Sequence, residues 1–154
     1  MKILHLRFKN LNSLKGEFVI DFNNSPLGQA GIFAITGPTG AGKTTILDAI
    51  CVALYGQTPR LGIGGAEDLM TRHTGDCYAE VEFAVKKKQF RCRWSQHRAK
   101  GRADGKFQPP EMELAEMDTS SEKIIEDRKR EIISRVEELT GLDFHRFTRS
   151  ILLA

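Results

Sequence analysis

The chain has 154 residues, of which 40% are hydrophobic and 28% charged, with a net charge of +3, which describes one soluble globular domain long enough to bury a core. Its three cysteines, Cys51, Cys77 and Cys92, are odd in number and widely spaced, matching neither a disulfide framework nor a zinc site, and read as buried thiols of a cytosolic protein. The opening residues Met1 to Arg7 alternate apolar and polar and no run of about twenty apolar residues follows, which argues against a signal peptide and a membrane span.

In chain order, residues 3 to 9 and 17 to 22 have strand character, and Asn10 to Gly16 between them reads as the loop of an early hairpin. Residues 31 to 36 form a short apolar run, the pattern of a buried strand, which feeds directly into Gly37-Pro38-Thr39-Gly40-Ala41-Gly42-Lys43-Thr44. From Lys43 to Tyr55 the residues Ile46, Leu47, Ile50, Ala53 and Leu54 recur at spacings of three and four, predicting a helix with one face on a sheet and Gly56 as its stop. Residues 56 to 68, rich in glycine, read as an irregular loop with no helix. Cys77 to Val85 alternates cleanly, and after a lysine turn at 86 to 88 a returning strand is expected over Phe90 to Gln96, with another at Glu111 to Met117 beyond the loop 99 to 110. Ser120 or Ser121 is placed to cap a helix from about Glu122 to Leu139, with Ile125, Ile132, Val136 and Leu139 as its stripe and Gly141 past its end. A last helical segment starts at Asp143. The order implies an α/β domain with antiparallel strands.

Two glycines, a lysine and a hydroxyl residue at this spacing, set between a strand and a helix, are the phosphate-binding loop of the P-loop NTPases, the Walker A motif. Glycines at 37, 40 and 42 let successive amides converge on an anion, and the helix beginning near Lys43 adds its positive end. Lys43 supplies a point charge to the β- and γ-phosphates of ATP, Thr44 a hydroxyl ligand for magnesium, and Thr45 a contact to the α-phosphate. Hydrolysis needs in addition a carboxylate at the end of a second buried strand. Asp21 closes an apolar run but precedes the loop, and reads as a plain strand-end residue, while Glu80 and Glu82 read as solvated members of an alternating strand. A catalytic carboxylate is therefore expected to come from elsewhere.

The charge is uneven. Lys86 to Lys106 holds nine basic residues against Asp104 alone, net +8, whereas Glu111 to Glu138 is net −5. The basic stretch reads equally as a surface for DNA phosphates, with Trp94 and Phe107 as stacking groups, or as a solvated hairpin face. His5, His73, His97 and His145 have no metal-ligand spacing.

The residues also resemble one family. Lys2-Ile3-Leu4, Lys9 to Gly16, Phe33 to Thr45, Leu47-Asp48-Ala49-Ile50, Thr58-Pro59-Arg60-Leu61, Asp68 to Arg72, Trp94-Ser95-Gln96 and Leu139 to Asp143 are similar to SbcC sequences over nearly the whole chain. SbcC is the ATPase component of a bacterial DNA double-strand-break nuclease, related to the SMC proteins and the ABC-type ATPases. Threonine at positions 39 and 44, where many SMC relatives carry asparagine and serine, favours SbcC over the SMC proteins proper. The resemblance implies that residues 1 to 154 are the amino-terminal, ATP-binding part of a split ATPase head in a cytoplasmic, nucleoid-associated protein. A coiled coil and the carboxyl-terminal half would complete that head. It implies ATP and Mg2+ as cofactors, and as partners the carboxyl-terminal half, an SbcD-type nuclease, double-stranded DNA and a second head. The glutamine that follows the segment resembling Arg149 to Leu153, and the remaining catalytic motifs, would lie beyond Ala154. It places Thr71 and Arg72 close to the nucleotide, where an exposed turn is an equal reading. Asn12 stands where some relatives have an arginine that approaches the nucleotide, with Ser13 beside it. Two other readings are a small kinase or GTPase acting alone, for which neither an Asn-Lys-x-Asp motif nor a lid arginine pattern is evident, and a DNA-binding module with a vestigial loop.

Overall fold

A computed structural model describes residues 1–24, 34–61, 66–118 and 121–151. The chain opens with the expected hairpin, β1 (Lys2–Leu11) and β2 (Leu14–Asp21), but the strands run further than the loop chemistry of residues 10 to 16 suggests, and only Asn12 and Ser13 form the turn. Asn10 and Asn12 make this possible by adopting φ of 51° and 49°, a backbone region that asparagine tolerates better than most residues. Asn10 also ties the turn together: its Oδ1 accepts from the Gly16 amide at 2.8 Å and its Nδ2 donates to the Asp76 carbonyl at 2.9 Å.

Helix α1 spans Lys43–Tyr55 and stops at Gly56, whose φ of 63° closes the last turn as its N–H donates to the Val52 carbonyl. It is not a one-sided amphipathic helix. From Asp48 to Tyr55 every residue is buried, because the chain there is apolar on nearly all sides and is sandwiched between the sheet and two later helices. A short helix α2 (Ala66–Leu69) interrupts the segment expected to be wholly irregular, of which 62–65 lie outside the described residues. Strands β3 (Asp76–Val85), β4 (Lys88–His97) and β5 (Glu111–Met117) follow where alternation places them. A tight turn at Lys86-Lys87 joins the first two, and a loop with a 3-10 turn at Ala99–Gly101 precedes the third.

Residues 122 onward depart from the expected single helix. Glu122–Glu126 is strand β6, and the helix, α3, covers only Lys129–Thr140. Ser121 accordingly closes a hairpin by exchanging backbone bonds with Asp118 and caps nothing, while Ser120 lies outside the described residues. Glu122 to Glu126 contains strong helix formers, yet the open edge of β5 offers a ladder of backbone partners and Ile124 and Ile125 are β-branched, so pairing prevails over propensity. Helix α4 (Phe144–Ile151) begins where expected, with the Asp143 carboxylate accepting from the Arg146 amide at 2.8 Å.

The six strands form one antiparallel sheet in the order β2-β1-β3-β4-β5-β6. Leu6, Phe8, Ala79, Val81, Phe83, Phe90, Cys92, Trp94 and Leu114 point to one face and form the core with α1, α3 and α4. All three cysteines are free and buried in it or at its margin. The other face carries charge. Glu80, expected to be solvated, is only 6% exposed: its neighbours across the ladders are Arg7 on β1 and Arg93 on β4, and Arg91 reaches it at 3.0 Å. Aliphatic stems of the three arginines cover the carboxylate.

Candidate nucleotide-binding site

The expected strand before the phosphate loop falls partly outside the described residues, at 31–33. Of the rest, Ala34 to Thr36 are not in a strand, and Ala34 and Thr36 are exposed. A central strand of a parallel sheet needs hydrogen-bonded neighbours on both sides, and the described sheet is antiparallel and closes its ladders without this segment. The loop itself, Gly37 to Ala41, is exposed. Gly40 and Gly42 hold φ of 84° and 88°, which only glycine adopts without strain. A Cβ on Gly42 would also lie 2.8 Å from Cδ1 of Leu14, so the start of β2 packs directly beneath the loop.

Helix α1 starts with Ile46 N–H donating to the Gly42 carbonyl, and its first turn has no side-chain cap and no acidic residue. Its leading amides and positive dipole end are thus offered to an anion without competition from a capping side chain or a first-turn carboxylate. Lys43 folds over the loop and donates to the carbonyls of Gly37 and Pro38 at 2.7 and 2.8 Å, which holds its ammonium at the mouth of the concavity. Thr44 is exposed beside it and Thr45 is buried. Such a set of groups fits a nucleoside triphosphate with a hard divalent cation: amides and a lysine for phosphate oxygens, and a threonine hydroxyl as a ligand for magnesium.

The β1–β2 turn is brought against the same helix end. Asn12 donates from Nδ2 to Thr45 Oγ1 at 3.3 Å and to Asp48 Oδ2 at 3.0 Å, so its side chain faces the helix, and Ser13 is exposed at the tip. Thr71 stands behind the turn, its amide bonded to the Asn10 carbonyl at 2.9 Å and its hydroxyl to the Leu14 carbonyl at 3.4 Å. Arg72 lies on an exposed turn with His73, whose φ is 62°. Asp21 sits at the far end of β2, seven residues and about 23 Å of strand from Leu14. There it pairs with His5 at 3.2 Å and accepts the amides of Asn23 and Asn24, so it is a turn residue remote from the loop.

Two residues central to this geometry, Asp48 and Arg60, lie in segments that carry the family resemblance but have no role assigned to them by the sequence reading. Asp48 is 1% exposed, and its Oδ2 also accepts from Arg60 Nη2 at 2.5 Å. A carboxylate in the midst of Leu47, Ala49 and Ile50 on a buried helix is the available signal, since such a group requires partners.

The basic stretch is divided. Arg91 and Arg93 are engaged with Glu80, Glu113 and Glu122, and Lys88 pairs with Glu116. Trp94 is fully buried and has no face to offer a base. What remains exposed is the Lys86-Lys87 turn at one end of β4 and the loop with Lys100, Arg102 and Lys106 at the other, about 30 Å apart. In that loop Arg98 lies over the Phe107 ring at 3.8 Å. Among the described residues there is no metal-ligand cluster and no helix long and apolar enough to cross a membrane.

A family model described as AAA domain matches residues 5–153. Together with the loop and its helix this places the chain in the AAA domain family of P-loop ATPases. Within it, the chain is similar to the SbcC component of the nuclease SbcCD from Pseudomonas aeruginosa, at 42% identity over 171 aligned residues, and to that from Rhodobacter capsulatus, at 37% over 172. Each alignment takes in 100% of this chain and 14% of the relative. A probable DNA double-strand break repair Rad50 ATPase of Aquifex aeolicus is 30% identical over 99% of the chain, again across 14% of its own length. The chain therefore spans about one seventh of the length of the curated relatives it matches.

Proposed function

We propose that this chain is the ATP- and Mg2+-binding amino-terminal part of an SbcC-type ATPase head, residues 1–154, whose nucleotide cycle controls a DNA double-strand-break nuclease. The observation that carries the reading is the uncapped, acid-free start of α1 beneath a loop with left-handed Gly40 and Gly42, with the Lys43 ammonium at its mouth. In this reading the amides of Gly40 to Thr44 cradle the phosphates and Lys43 moves its ammonium from the Gly37 and Pro38 carbonyls to phosphate oxygens. Thr44 ligates magnesium, and Thr45, Asn12, Ser13, Thr71 and Arg72 line or back the site. Magnesium supplies charge neutralisation at the transferring phosphoryl group.

The groups that position water come from outside this segment: the carboxyl-terminal half of the head and, across it, a second head. Asp21 is remote, and Asp48 is committed to Asn12 and Arg60, so neither serves a kinase or GTPase acting alone. The names of the similar proteins support an SbcD-type nuclease and double-stranded DNA as partners; an ATPase acting on bacterial DNA works in the cytoplasm, where that DNA lies.

Calorimetric titration with MgATP tests the first step: Lys43→Ala is expected to abolish measurable binding in the properly assembled protein, and unchanged affinity would refute the assignment. Mixing the chain with a separately made carboxyl-terminal half, and measuring ATP turnover with and without DNA, tests the second. Turnover by the chain alone would favour a self-sufficient enzyme.

A further inference from the structure

Asp48 poses an electrostatic problem for an anion site. It sits on α1 four residues, or about 6 Å of helix rise, beyond Thr44, and is 1% exposed, so water does little to screen it. A bare carboxylate there would lower the affinity of the helix end for phosphate. Yet its Oδ2 has a structural task, accepting from Asn12 Nδ2 at 3.0 Å, while the same Nδ2 contacts Thr45 Oγ1 at 3.3 Å. That contact holds the β1–β2 turn, and with it Leu14 beneath Gly42, against the phosphate loop. Arg60, from the segment after α1, reaches back to the same Oδ2 at 2.5 Å with its side chain 54% exposed.

Resting on the nucleotide-binding reading above, we infer that Asp48 and Arg60 form a charge-compensated positioning pair. Asp48 anchors Asn12 and so sets the turn against the loop, and Arg60 neutralises Asp48 so that the loop retains its affinity for the nucleotide phosphates. Neither residue needs to touch the nucleotide. Two consequences separate this from a purely structural ion pair and from an arginine that binds phosphate directly. Removing Arg60 exposes the phosphates to an uncompensated carboxylate, and removing the charge of Asp48 in the same molecule repairs the defect. Asparagine at 48 suits the repair because its carbonyl oxygen still accepts from Asn12, which alanine cannot do.

The experiment is MgATP titration of the wild-type chain assembled with its carboxyl-terminal half, and of the same assembly carrying Arg60→Ala, Arg60→Gln, Arg60→Ala/Asp48→Asn or Arg60→Ala/Asp48→Ala, with circular dichroism confirming that each variant is folded. Arg60→Ala is expected to weaken binding roughly tenfold, and Arg60→Ala/Asp48→Asn to return within about threefold of wild type. The Arg60→Ala/Asp48→Ala protein should remain weak because the turn loses its anchor. Arg60→Gln gives the same reading if Arg60→Ala fails to fold. Wild-type affinity in the Arg60 variants, or an Arg60→Ala/Asp48→Asn protein as weak as Arg60→Ala, overturns the pair's role. An assembled, folded wild-type head that binds no MgATP overturns the nucleotide-binding reading and the pair with it.

Discussion

Replacing Glu80 by alanine is expected to destabilise the chain far more than its place on the polar side of an alternating strand suggests. Its side chain is 7% exposed and Oε2 accepts from Arg91 at 3.0 Å and Arg93 at 3.2 Å, with Arg7 at 3.8 Å from Oε1. Removing one partner of a fully buried ion pair costs about 3–5 kcal/mol. Here the penalty is smaller, because Arg93 and Arg7 are 41% and 49% exposed and rehydrate, while Arg91, 13% exposed, keeps Glu113 and Glu122. The net loss works out at about 2–3 kcal/mol, or about 5–10 °C in Tm for a chain of this size. Glu80→Gln, which preserves an acceptor of the same shape, should lose about half as much. Thermal unfolding followed by circular dichroism at pH 7 checks this, with Glu82→Ala as control, since Glu82 pairs with the half-buried His5. If Glu80→Ala and Glu82→Ala lower Tm equally, the charged face is not the buried network described.

Two further outcomes follow from groups outside the site. Burial raises Cys51, Cys77 and Cys92 each from about 9 to about 12, with Asp48 and Asp76 adding to the shift at the first two and Glu113 at the third, against a lowering by Arg91 there. The thiols therefore ionise in the unfolded chain first, so stability is full below pH 9 and lost as pH rises toward 12; Tm should hold up to pH 8 and fall between pH 9 and pH 12, and thiol reagents should label the native chain slowly and the unfolded chain at all three positions. Neutralising Lys100, Arg102 and Lys106 together should reduce the salt dependence of any DNA affinity by about two to three ion equivalents, whereas neutralising Arg91 and Arg93 should instead lower Tm. A DNA affinity with unchanged salt slope in the loop variant would remove this loop from the interface.

What can be read from the sequence divides along physical lines. Strands β3 to β5 are legible because alternation with period two is a local signal, and α1 and its stop at Gly56 because the phosphate-loop spacing and a left-handed cap are local too. Alternation says which residues share a face but not whether that face is covered, and so Glu80 reads as solvated when its cover comes from arginines on two other strands. Ile125, Ile132, Val136 and Leu139 mimic one helical stripe, although the first belongs to β6, because nothing local announces that β5 has a free edge for residues 122 to 126. The extension of the first hairpin is hidden in the left-handed backbone of Asn10 and Asn12, which reads as loop chemistry. For the site, the loop residues are evident and the Asp48–Arg60–Asn12 connection is not, since it joins residues 12 and 36 positions apart.

The burial gradient along α1 explains how so exposed a loop can hold a defined geometry. Lys43 and Thr44 stand at or near the surface, whereas Ala49 to Tyr55 are at most 4% exposed. Ile50, Val52 and Leu54 alone contribute on the order of 5 kcal/mol of apolar burial, and Tyr55 locks the far end, its hydroxyl donating to the Leu142 carbonyl at 2.9 Å and its ring packed on Phe144 and Phe147. Lys129 adds a bond from Nζ to the Gly56 carbonyl at 3.2 Å, satisfying the carbonyl end of α1 with a cation where the dipole favours one. The helix is thus held by its carboxyl-terminal half and presents its amino-terminal turn as a rigid edge. The loop needs only to follow that edge, through glycines that accept the required φ, so precision at the anion site comes from packing about 15 Å away. Loosening that packing, as by Tyr55→Ala, should therefore weaken nucleotide binding together with stability, whereas Lys43→Ala should remove binding and leave Tm within about 2 °C.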